Sequence, residues 1–119
     1  MQKTLSLIAV VAGLALGCGG PDHSQAGARD AATTASCNWY AMCGQIGAGK
    51  TFETRDSCEV QTRAFWDTRW PAAQCDGKVD TNQLGICLDA IHITECGNAI
   101  DVLNTIANKC DVAKVCPTP

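Results

Sequence analysis

The side chains with the most chemistry to offer are nine cysteines in a chain of 119 residues. A cysteine can be acylated, oxidised in a pair, or bound to a metal. Cys18 stands apart from the rest. It follows Leu14-Ala15-Leu16-Gly17 and precedes Gly19-Gly20, with Lys3 and an apolar run of twelve residues, Leu5 to Leu16, upstream. This is the pattern of a bacterial lipoprotein signal, cut before a cysteine whose sulfur carries diacylglycerol. The run falls short of the roughly 20 apolar residues needed to cross a bilayer. Two or three acyl chains, at about 0.8 kcal/mol per buried methylene, would hold the protein instead. Residues 1–17 are therefore expected to be removed, Cys18 to be lipidated, and the membrane to be a partner through that anchor. Gly19, in place of Asp, favours the outer membrane over the inner.

Giving Cys18 to the lipid leaves Cys37, Cys43, Cys58, Cys75, Cys87, Cys96, Cys110 and Cys116, an even set suited to four disulfides. Their density fits an oxidising compartment outside the cytoplasm. Zinc would call for C-x-x-C pairs or histidines at ligand spacing; no such pair occurs, and His23 and His92 stand alone, so no metal is expected. On one helix Cys37 and Cys43 would lie about 9 Å apart along the axis and about 240° apart around it, which forbids a bond between them. Each must staple the first helix to a neighbour. Cys43 with Cys58 and Cys110 with Cys116 are two pairings that proximity favours among 105 connectivities.

Gly44-Gln45-Ile46-Gly47-Ala48-Gly49-Lys50-Thr51 fits the phosphate-cradling pattern G-x-x-x-x-G-K-[ST] letter for letter. A P-loop needs a buried strand before it and a helix after it, whereas SCNWYAMC before it reads as helix. The segment is taken as a glycine-rich connection, with no nucleotide and no other cofactor. The catalytic inventory is short. His92 with Asp89 one helical turn earlier is the single acid–base candidate, and an exposed polar pair is the favoured reading of it. Trp39, Trp66 and Trp70 are candidates to line an apolar groove, with core packing as the simpler account.

These residues need helices to place them. Gly19 to about Asp30 reads as a flexible tether with a solvated His23, so residues 18–30 form the lipidated linker and 31–119 the folded domain. Ala31 to about Gly44 reads as the first helix, with Asp30 as a cap. The second starts at Asp56, three residues before Glu59, turns Cys58, Thr62, Phe65 and Trp66 inward, and ends near Trp70-Pro71. Cys75 to Lys78 make a turn. Leu84, Cys87, Leu88 and Ile91 give a third helix, from Asp80 or Thr81 to Thr94, its stripe. Asn98 caps a fourth, with Ile100, Leu103, Ile106, Ala107 and Cys110 inward. No stretch alternates over strand length, so the expected fold is a small all-α, disulfide-stapled bundle of about four short helices. Without Lys3, eight basic residues face twelve acidic ones, a balance against a nucleic-acid partner.

CGQIGAGKTFETRDSC, the Trp66 segment, Cys75-Asp76-Gly77, LGICLDAI, ECGNAIDVLNTI and the closing C-x5-C together resemble a family of short cysteine-rich bacterial lipoproteins, described mainly from myxobacteria and labelled natural-product-biosynthesis lipoproteins. The resemblance covers about Ser36 to Cys116. It implies an exported accessory protein that binds a secondary metabolite or a biosynthetic partner protein, and it supplies no functional residues. A small cyclase- or isomerase-type enzyme using Asp89 or His92, and a structural envelope protein without a ligand, are the alternatives.

Overall fold

The first helix begins inside the stretch that composition marks as a tether. In the computed structural model, which describes residues 22–118, helix α1 spans Gln25–Met42 and is capped by Ser24, whose hydroxyl accepts from the Gly27 amide at 3.0 Å. Cys18 and residues 1–17 lie outside the described residues. The correction to the tether has a physical cause: Gln25, Ala28 and Ala32 are buried, so the small residues that look unable to bury anything are what lets α1 approach its neighbours. Gly27 belongs to the cap itself, because a Cβ there would lie 2.9 Å from Ser24 Oγ. His23 is not merely solvated either. Its Nδ1 lies 2.6 Å from the Val79 carbonyl, and the Gln25 amide donates to Asp76 Oδ1. Asp30, expected to cap, sits within the helix.

Helix α2, Arg55–Arg69, is capped by Thr54, two residues before the Asp56 expected from spacing; Thr54 Oγ1 accepts from the Ser57 amide and Asp56 joins the first turn. A short α3, Ala72–Cys75, precedes the turn at Gly77. Helix α4, Thr81–Ile93, starts where expected; Asp80 caps it, its carboxylate accepting from the Asn82 and Gln83 amides, and Cys87 and Ile91 are buried. Asn98 caps α5, Ala99–Asn104. A π-helical turn, Thr105–Lys109, continues it, and α6, Val112–Val115, follows. The one β contact among the described residues is the isolated bridge between Ile46 and Phe52. The fold is all-α.

Four disulfides staple these elements: Cys37–Cys58, Cys43–Cys96, Cys75–Cys116 and Cys87–Cys110. As the geometry of α1 requires, Cys37 and Cys43 take different partners. The pairings Cys43–Cys58 and Cys110–Cys116 do not form. Because α2 runs back antiparallel along α1, its first turn meets α1 at Cys37 and leaves Cys43 at the helix end for Cys96. Helix α6 likewise turns Cys116 away from Cys110 and toward Cys75. Four formed bridges place the domain in an oxidising environment outside the cytoplasm. No helix among the described residues is long and apolar enough to cross a membrane.

Trp66 and Trp70 are buried at the centre, their rings 4.5 Å apart, with Val79, Ile91 and Val115 around them. Trp66 Nε1 donates to Ser36 Oγ at 3.1 Å and Trp70 Nε1 to the Cys110 carbonyl at 3.0 Å, so neither indole N–H is left unpaired. On the surface, Arg29 contacts its neighbour Asp30, and across the α1–α2 seam Arg29 contacts Asp67 and Arg63 contacts Asp30. The hydrogen bond from Arg29 holds the Asp30 carboxyl below its ordinary value; the bond from Gln25 Nε2, against a partial opposing effect of burial and with help from Arg29, does the same for Asp67. Carboxyls with depressed folded-state values stabilise the fold fully above the unfolded value of about 3.9 and lose that contribution as pH falls through the folded value. Both are about half exposed, so the effect is small. The thermal midpoint is expected to be flat from pH 7 to about 5 and to decline below about 4, with a shallower decline in Asp30→Asn/Asp67→Asn; calorimetry across that range checks it.

Candidate functional site

Five of the six aromatic residues gather around one groove. The chain has three Trp, one Tyr and two Phe, and all but Trp70 line this hollow of about 280 Å³. Helix α1 supplies Trp39 and Tyr40 one turn after Ser36, and α2 supplies Phe65 and Trp66 one turn after Thr62. Phe52 comes from the loop between them. Tyr40 stands between Trp39 and Phe52 in edge-to-face contacts of 5.0 and 4.9 Å, and Phe65 meets Trp66 at 4.9 Å in the same manner. Ile91 of α4, its C-cap Thr94, and Val102, Thr105 and Ile106 beyond it form the opposite wall.

Several of the polar groups on these walls are engaged with the protein. Trp39 Nε1 donates to the Thr94 carbonyl at 2.8 Å, Thr94 Oγ1 donates to the Ala90 carbonyl, and the Thr94 and Thr105 hydroxyls meet at 3.0 Å. Thr62 Oγ1 lies 3.7 and 3.6 Å from the sulfurs of Cys37 and Cys58; a bridged sulfur carries no proton, so the hydroxyl donates. Gln61 Nε2 bonds Ser57 Oγ. No Asp, Glu, Lys, Arg or His lines the groove. Such a surface offers dispersion and ring stacking to an uncharged molecule and has no acid–base pair to transfer a proton. Its volume lies close to the lower bound of about 300 Å³ for small-molecule sites.

The sequence candidates divide accordingly. Trp39 and Trp66 line the groove, whereas Trp70 is core. Asp89 and His92 are both exposed, stand apart from the groove, and are joined by no hydrogen bond among the described residues. Sequence reading missed Phe52 and Val102 and gave Ile106 only as an inward residue of the fourth helix; the three reach the groove through the folding of the Gly44–Thr54 loop and of the segment after Asn98. That loop has the letters of a P-loop without its geometry. It follows α1 directly, and the amides of Gly47, Lys50 and Phe52 donate to the loop's own carbonyls of Phe52, Gly47 and Gln45, so they do not point at a phosphate.

Ile100, Leu103 and Ala107, expected to face inward, lie on the outside; Ile100 and Leu103 are 73% and 65% exposed. The reason is the π turn. The Cys110 amide bonds the Thr105 carbonyl, five residues back, which leaves the Ile106 carbonyl free to accept from Arg69 Nη2 at 3.0 Å. The segment consequently presents Val102 and Ile106 to the groove and turns Ile100 and Leu103 out. No curated protein and no solved structure matches the chain. The family of unknown function DUF6184 matches residues 37–118, from the first bridged cysteine through the last and including every groove residue except Ser36. By that match, over well more than half its length, the chain belongs to the DUF6184 family.

Proposed function

We propose that this protein is an exported, lipid-anchored accessory protein whose domain holds a neutral, apolar, ring-bearing small molecule outside the cytoplasm. The observation that carries the reading is the aromatic groove with no charged side chain on its walls. Export is supported by the four disulfides, anchoring by the lipobox that ends in Cys18, and a secondary metabolite as the cargo by the resemblance to natural-product-biosynthesis lipoproteins. A cyclase or isomerase working by proton transfer is the weaker reading, because Asp89 and His92 stand away from the groove.

The test has two arms. The oxidised domain from Asp22 onward is titrated with N-phenyl-1-naphthylamine, a neutral apolar fluorophore, and is separately incubated with an organic extract of the producing cells and analysed by native mass spectrometry. Saturable fluorescence with energy transfer from tryptophan, and retention of an unaltered compound, are expected. Phe65→Glu places a charge on the groove rim at a residue already 42% exposed, so the fold should persist while probe affinity falls at least tenfold, about 1.4 kcal/mol. Conversion of an extract compound into a related product would replace this reading with the enzyme. Equal binding by wild type and Phe65→Glu would show that the probe sits elsewhere.

A further inference from the structure

From Cys96 to Cys110 the chain forms a strap, made of α5 and the π turn, along one wall of the groove. Its leading end is tied to the end of α1 by Cys43–Cys96 and its trailing end to α4 by Cys87–Cys110. One side of the strap gives Val102 and Ile106 to the groove. Against another side lies a second hollow of about 260 Å³, bounded by Asn104 and Asn108 of the strap and by Ala90 and Ile93 of α4. Besides the bridges it is held by the Glu95 amide donating to Asp101 Oδ2 and, toward its trailing end, by the Thr94–Thr105 hydroxyl contact, the Arg69 bond to the Ile106 carbonyl, the Trp70 indole bond to the Cys110 carbonyl and packing of the π turn on α4. Arg69 Nε is buried and has no hydrogen-bond partner among the described residues. The same guanidinium bonds the strap through Nη2, at the Ile106 carbonyl.

The two ties differ in access. Cys87 and Cys110 are at 0% exposure, as are Cys37, Cys58, Cys75 and Cys116. Cys96 is exposed and Cys43 half-buried. A thiolate must reach a sulfur to exchange with it, so access separates one bridge from the other three. We infer that Cys43–Cys96 is a thiol–disulfide exchange site, a latch that a dithiol opens to free the leading end of the strap and release what the groove holds. The inference rests on the groove being a binding site.

The exchange balances within the two partners. A thiolate of the dithiol attacks one bridge sulfur, forming a mixed disulfide and expelling the other cysteine as thiolate. The second thiol of the reagent then displaces the protein cysteine and closes the reagent's own disulfide. Two electrons pass to the bridge, Cys43 and Cys96 end as thiols carrying the two protons, and the dithiol is oxidised. Reoxidation reverses each step and restores the wall.

The oxidised domain is exposed to increasing dithiothreitol, trapped with iodoacetamide and mapped by mass spectrometry, while helicity and binding of N-phenyl-1-naphthylamine are followed on parallel samples. Cys43 and Cys96 should be alkylated first and alone, with helicity retained and probe dissociation constant raised about tenfold. Cys43→Ser/Cys96→Ser should show the same weakened binding without any reductant. First alkylation at another pair, or simultaneous loss of all four bridges, would overturn the latch. So would a probe affinity that is unchanged once the bridge is open, or equal in the double variant and the wild type. Absence of probe binding by the oxidised protein would instead overturn the groove reading, and the latch with it; that failure is distinguishable because it precedes any reduction.

Discussion

Trp70→Ala should lower the unfolding free energy by about 3 to 5 kcal/mol, the range for a buried tryptophan emptied to a methyl. Trp70 is fully buried, and its ring packs against Trp66. Its indole N–H also supplies the Cys110 carbonyl with a hydrogen bond of 3.0 Å. Truncation therefore creates a cavity at the centre and leaves a buried acceptor unpaired, which adds to the cost. Trp70→Phe keeps most of the apolar volume and loses only the polar contact, so it should cost clearly less. Urea denaturation with the bridges intact measures both. A Trp70→Ala loss within 1 kcal/mol of wild type, inside the range of an exposed substitution, would show that the centre repacks around the gap.

Complete reduction of the four bridges should have a larger effect still, abolishing cooperative unfolding. The buried apolar set has fourteen members, and six of them are half-cystines, with Ala28 and Ala32 adding little area. Large side chains are few. Each bridge is worth typically about 2 to 4 kcal/mol, against a total of about 5 to 15 for a folded domain, so losing all four removes an amount comparable to the whole. Circular dichroism after excess dithiol should show the loss of near-ultraviolet signal from the buried tryptophans and a broad, non-cooperative melt. Retention of a sharp transition in the fully reduced, alkylated protein would mean that burial alone carries the fold.

The helices most legible in the sequence are those with a single buried stripe. Cys87 and Ile91, with Leu84 and Leu88 beside them, spell α4, and Asp80 and Asn98 mark two starts because a side-chain oxygen before an amphipathic run has one dominant use. The start of α1 was hidden because Gly, Ala and Ser serve equally in a linker and in a close helix–helix seam, and only the partner surface decides. Pairing of the bridges was hidden for a similar reason: it depends on how α2 lies along α1, not on distance along the chain. Trp39 and Trp66 pointed to the groove, while Phe52 could not, since a loop carries no periodic signal. A regular 3.6-residue repeat would give the segment after Asn98 an inward stripe, and the π turn breaks that repeat between Leu103 and Cys110.

The early start of α1 fixes how the groove stands relative to a bilayer if Cys18 carries the lipid. Only three residues separate Cys18 from Asp22, a span of at most about 14 Å between their Cα atoms. The base of α1 would then ride close over the headgroups, on a pivot and not a long leash. Trp39 lies fourteen residues up α1 from Gln25, about 21 Å along the axis. Held upright, the groove would sit beyond the roughly 8 Å over which membrane charge is felt at physiological salt. Cargo would reach it from the aqueous side, and tilting about the pivot, not sliding of the tether, would be the motion that brings its mouth down to the lipid.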